Sequence, residues 1–145
     1  MSDEIPFNDA TIEPVLYILM RTDLESMNPG KAVAQGVHAG NLFTHKIKPE
    51  LGIADADTLR LYNHWSNMTD QGFGTTITLG VDGDLLFKVV TAADEMGAFS
   101  GIAHDPSYPL QDGDFTHLIP LDTCGFVFGD KAKLEILLRQ FNLMK

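Results

Sequence analysis

The chain has 145 residues, of which 44% are hydrophobic and 21% charged, enough to bury one core and too apolar for a disordered tail. Its single cysteine, Cys124, excludes an internal disulfide and a cysteine metal cluster, and fits a reducing compartment such as the cytoplasm. A net charge of −10 excludes a broadly basic, phosphate-gripping surface, and no apolar run approaches the ~18 residues of a membrane span.

Residues 1–13 are acidic and lack the basic and apolar regions of a signal peptide, so a loose tail is expected, followed by a single domain over 14–145. The unbroken apolar run 15–20 predicts a strand buried on both faces. Asn28 then has the chemistry of an N-cap and Pro29 that of a first helical residue, so a helix is expected over 29–46. Its small residues Ala32, Ala34, Gly36, Ala39 and Gly40 suggest close packing. A second helix is expected over 54–68, where Leu59, Tyr62, Trp65 and Met68 recur. A strand follows over 75–81. Asp82 or Asp84 should cap a third helix running to about residue 96, ended by Gly97. Residues 99–103 read as a short strand. Residues 104–116 read as an irregular loop, because Pro106, Pro109 and Gly113 exclude a long helix or a central strand. Strand structure is expected around Pro120, at 117–119 and 125–128, and a last helix from about residue 130 buries Leu134, Leu137, Leu138 and Phe141. This β-α-α-β-α-β-β-α order predicts an α/β three-layer domain: a small mixed sheet of about four strands with helices on both faces.

The junction at 20–40 is the most informative stretch. A strand leads through a polar turn into a helix whose first turn exposes unpaired N–H groups and its positive dipole end. Lys31 is locally unfavourable there unless an anionic ligand answers it. Lys31, Gln35 and His38 share one helix face. Asp23 has the chemistry to cap or brace the turn.

The ordered residues Arg21-Thr22-Asp23-Leu24, Met27, Gly30-Lys31, Ala34-Gln35 and His38-Ala39 resemble the signature of the second, archaeal and eukaryotic, class of peptidyl-tRNA hydrolases. One residue is inserted between Leu24 and Met27, and Pro29 replaces a lysine. Thr116-His117-Leu118-Ile119-Pro120 resembles half of that family's second signature. The family aspartate falls on Asp112 when counted back from Thr116 and on Asp105 when counted forward from Gly97. Phe115 stands in the place of the family arginine. The resemblance implies an esterase that cleaves peptide from tRNA without metal or cofactor, and a homodimer.

The chemistry needs a positioned water, a proton acceptor and oxyanion stabilisation. Lys31 with the helix N-terminus would hold negative charge, Asp105 or Asp112 would orient or deprotonate water, Thr116 would hold it, and His38 is an alternative base. Arg21, Asp23, Asn28 and Gln35 are the expected substrate-side residues. Residues 21–48 hold four basic and two acidic side chains, whereas 105–130 hold five aspartates and no Lys or Arg, so tRNA binding should be weak and salt-dependent. The alternative function is a non-catalytic binding protein that keeps the fold and the helix N-terminus. His104, Asp105, Asp112, Asp114 and His117 match no trusted metal-ligand spacing.

Overall fold

The computed structural model describes residues 11–144. The elements are β1 (Pro14–Arg21), α1 (Pro29–Lys46), a 3-10 turn (Pro49–Leu51), α2 (Ala56–Ser66), β2 (Thr76–Val81), α3 (Gly83–Glu95), β3 (Phe99–Asp112), β4 (Phe115–Asp130) and α4 (Lys131–Leu138). The strands form one mixed sheet in the order β2-β1-β4-β3. β1 runs parallel to β2 and antiparallel to β4, and β4 is antiparallel to β3.

β1 is central, which is why its sequence is apolar without alternation. Val15, Tyr17 and Leu19 pack with Leu86, Val89, Val90 and Ala93 of α3 and with Leu134 and Leu138 of α4. Leu16, Ile18 and Met20 pack on the other face with Ala39 and Phe43 of α1 and Trp65 of α2. The expected three-layer arrangement is thus present. Phe43 is fully buried at the centre of the α1/α2 side, with the rings of Tyr62, Trp65, Phe99, Phe126 and Phe128 at centroid distances of 4.9–6.2 Å. These edge-on and tilted contacts suit the quadrupoles of the rings.

The caps follow the sequence. Asn28 accepts the Lys31 N–H at 2.9 Å, Asp55 accepts that of Thr58 at 2.8 Å, and Asp82, not Asp84, accepts that of Leu85 at 2.8 Å. Each satisfies one orphan donor of a first helical turn. Met68 lies past the end of α2 and is half exposed. Of the small residues on α1, Ala39 is fully buried. A methyl group at Gly36 or Gly40 would meet nothing within 4 Å, so those two glycines make no close packing.

The expected irregular loop over 104–116 is instead strand. β3 continues to Asp112 and β4 begins at Phe115, so the two form a two-stranded arm that reaches past the sheet. Its turn, Gly113-Asp114, has a φ of 59° at Gly113, the first-position glycine that a tight II′ hairpin turn requires. Pro106 and Pro109 are tolerated because β3 is an edge strand. Of the expected tail, residues 1–10 lie outside the described residues, while Glu13 is fixed: its N–H donates to Asp130 and its carbonyl accepts from Lys131 N. After α4 the chain returns to β2, where Gly80 N donates to Asn142 O and Met144 N to Thr78 O, covering that edge. No described helix is long and apolar enough to cross a membrane.

Candidate functional site

Two irregularities in the β3/β4 ladder aim side chains at α1. Ala103 pairs with Cys124 but His104 pairs with Asp122, so Thr123 is an extra residue on β4. A bulge of this kind turns a strand's side chains locally. Thr123 and Cys124 therefore both face α1: the Thr123 hydroxyl donates to Gln35 Oε1 at 2.5 Å and Cys124 Sγ to the Gln35 carbonyl at 3.2 Å. Farther on, Asp105 pairs with Leu121 and Tyr108 with Ile119, which leaves one extra residue on β3. Asp105 and Tyr108, three apart, thus point to the same side.

Three residues of α1 meet this surface. Gln35 Nε2 donates to Asp105 Oδ2 at 2.7 Å, completing a buried chain from Thr123 through Gln35 to Asp105. Accepting from a hydroxyl and donating to a carboxylate fixes which way the amide points. His38 Nε2 lies 3.8 Å from the same Asp105 oxygen. The Lys31 ammonium stands 5.3 Å above the ring of Tyr108, within cation–π range. Tyr108 is fully buried, its hydroxyl 2.9 Å from that of Ser26 in the turn before α1. The backbone N–H of Ser107 completes the coordination of Asp105 at 2.9 Å on Oδ1.

Asp105 is nearly buried and its carboxyl is held below the usual range, first by the hydrogen bond from Gln35, then by Ser107 N and by His38; burial opposes this and loses. It is a fixed anion near neutral pH. Burial pushes the Cys124 thiol up to about 11, so it stays protonated.

The other expected residues divide. Asn28 is the α1 cap. Arg21 and Asp23 lie on the α3 side of β1, joined by two hydrogen bonds of 3.0 and 2.9 Å. Asp23 also accepts the Gly83 N–H at 3.2 Å, so its carboxylate braces the start of α3 and not the turn before α1. That hydrogen-bonded pairing holds Asp23 low and Arg21 high. Arg21 lines a hollow of about 250 Å³ with Gly83, Asp84, Leu86, Phe87, Ile102 and Asp122, across the sheet from Lys31. Asp112 and Thr116 are at the tip of the arm. Thr116 sits opposite Gln111 and donates to its side chain at 2.9 Å, on the face turned away from Tyr108. Asp112 is exposed, 3.4 Å from His117. Six residues of strand separate Gln111 from Asp105, roughly 20 Å. Of the two candidate aspartates, only Asp105 meets α1, and the threonine linked to it, through Gln35, is Thr123, not Thr116. His104 pairs with Asp122 instead, and no group of three metal-ligating side chains forms among the described residues.

Thr123, Ser107 and Tyr108 escape a reading of the sequence because each reaches the site through a bulge, a cross-strand feature with no local signature. Pro106 and Pro120, beside the second bulge, were the available hint. No family model and no curated protein matches the chain.

Proposed function

We propose that the chain is an ester hydrolase of the peptidyl-tRNA type, with Lys31, His38 and Asp105 at its centre and Gln35 and Thr123 as positioning residues. The observation that carries this is the buried, ionised Asp105 bonded through Gln35 to Thr123, with His38 against the same oxygen and Lys31 one helical turn before Gln35. A carboxylate held this low is a poor proton acceptor and a good orienting anion. Imidazole is the side chain best suited to exchange a proton near neutral pH. His38 therefore takes the proton of an attacking water, Asp105 stabilises the imidazolium, and the water adds to the ester carbonyl. Lys31 and the positive dipole end of α1 stabilise the oxyanion; the ribose oxygen leaves with the proton from His38. The 3.8 Å gap between His38 and Asp105 has to tighten when substrate binds.

The same reading takes tRNA as a weakly held, salt-sensitive partner, since Lys31, Lys46 and Lys48 offer few phosphate contacts and Arg21 is engaged by Asp23. It includes a homodimer in a cytoplasmic setting, in keeping with a single buried thiol. The second reading, a binding protein without catalysis, is favoured by Phe115 in place of the family arginine and by the charge of −10. Purified protein mixed with a defined peptidyl-tRNA should release peptide, and Lys31→Ala should slow release by at least ~10²-fold, the scale of losing one charge-stabilising donor. Absence of release from any peptidyl-tRNA, with tRNA or peptide still bound, would leave the binding reading standing.

A further inference from the structure

β1 accompanies β4 only as far as the pair Met20 and Cys124. Past Arg21 the chain turns toward β2, where Thr22 N donates to Val81 O at 2.8 Å. From Asp122 to the tip of the arm, β4 has β3 on one side and no described strand on the other. In a hairpin with a two-residue turn, the closing pair, here Asp112 and Phe115, exchanges both backbone hydrogen bonds, so the next residue points its N–H and C=O outward. Thr116 and Leu118 therefore face the open edge. Pro109, opposite Leu118, has no N–H to give, as that register requires. Asp122, of the same parity, confirms the direction: its carbonyl accepts Nη1 of Arg21 at 3.2 Å, on the β1 side. Pro106 and Pro109 blunt the outer edge of β3; on the inner edge of β4, Pro120 shares the parity of Thr116 and Leu118 and offers only its carbonyl, so the edge presents the N–H groups of Thr116 and Leu118 on an exposed segment. That inner edge ends at Leu121, the cross-strand partner of Asp105.

We propose that this free edge of β4, residues 116–121, takes the peptide half of the substrate as an added parallel strand. Its ester carbonyl would then lie at the Asp105 end and its amino end toward Asp112 and Asp114. The inference rests on the ester-hydrolase reading for the identity of the peptide. A hydrolase of peptide esters has to accept many side chains, and main-chain bonding along an open strand edge does so. The span, roughly 17 Å, holds about five extended residues. Charge complementarity agrees: both tip aspartates are exposed, and no Lys or Arg occurs between Lys88 and Lys131, so the arm suits an amine and repels phosphate.

The test compares Leu118→Pro, which removes one outward N–H at a position compatible with proline, with the wild-type protein. A fluorescent pentapeptide without RNA or ester should bind roughly tenfold more weakly to the variant, the scale of one lost backbone hydrogen bond with its partner left unpaired. An N-methylated version of the pentapeptide should show the same loss against the wild-type protein, which removes any question of the variant's folding. Hydrolysis of a pentapeptidyl-tRNA should fall in the variant, while that of an N-acetyl-aminoacyl-tRNA, too short to reach Leu118, should not. Equal binding of all peptides, or an edge that pairs two copies of this chain with no effect on peptide, overturns the proposal. Peptide binding that is lost in Leu118→Pro in a protein without esterase activity upholds the edge and rejects the hydrolase reading.

Discussion

The hydroxyl of Thr123 is buried and donates to an amide that is itself buried. Thr123→Val keeps the shape and removes the donor, leaving Gln35 Oε1 without its partner. An unsatisfied buried acceptor costs about 1–3 kcal/mol, so the urea midpoint should fall with an unchanged slope. The same change lets the Gln35 amide rotate, so turnover should fall further than stability alone explains. At Asp105 and Asp112 the geometry separates two carboxylates that spacing alone left equivalent. Asp105→Asn should lower kcat at least ~10²-fold by removing the anion beside His38. Asp112→Asn, on an exposed tip, should leave kcat within about twofold, since surface changes away from the chemistry are small. Comparable losses in the two variants would reject the assignment of Asp105. The sequence placed Asn28 at the α1 cap and Lys31, Gln35 and His38 on one face of that helix because capping and helical spacing are local. It could not choose between the aspartates, since that depends on which strand residue meets α1.

Among the elements, α1 and β4 differ in how they use glycine. Gly36 and Gly40 face open space, so Gly36→Ala and Gly40→Ala should each stabilise α1 by about 0.5–1 kcal/mol through lower unfolded-state entropy. At Gly125 a methyl group would lie 2.8 Å from the Gly101 carbonyl oxygen and 3.1 Å from Leu86, in a two-sided wall. Gly125→Ala should therefore destabilise by about 1–3 kcal/mol, and thermal melts of the three variants should move in opposite directions. The sequence made these glycines look alike, because composition does not say what a residue faces. It also located the four described α-helices and the cores of the four strands, where periodicity and caps act within a few residues. The arm was hidden because its prolines are breakers in a central strand and are tolerated at an edge, and edge status is a property of the sheet's order.

Acid response belongs to the whole molecule. Asp23, bonded to Arg21, Asp55, bonded to the Thr58 N–H, and Asp105, bonded to Gln35, all lie below their ordinary value. The native state holds these ions more firmly than the unfolded chain does. Their stabilisation is therefore complete above the unfolded value, near ~4, and is lost as pH falls through their lower native values. Urea midpoints should be level from about pH 5 to 7 and drop below about pH 4, less steeply in Asp105→Asn. A level midpoint down to pH 2 would contradict the hydrogen-bonding assigned to all three. Cys124 supplies a clock for the same molecule. It is the chain's one thiol, fully buried between β4 and the Gln35 carbonyl, with its ionisation pushed up to about 11. A thiol reagent can reach it only when α1 lifts from the sheet, so the alkylation rate at pH 8 times the opening of the very seam that holds Asp105 in place.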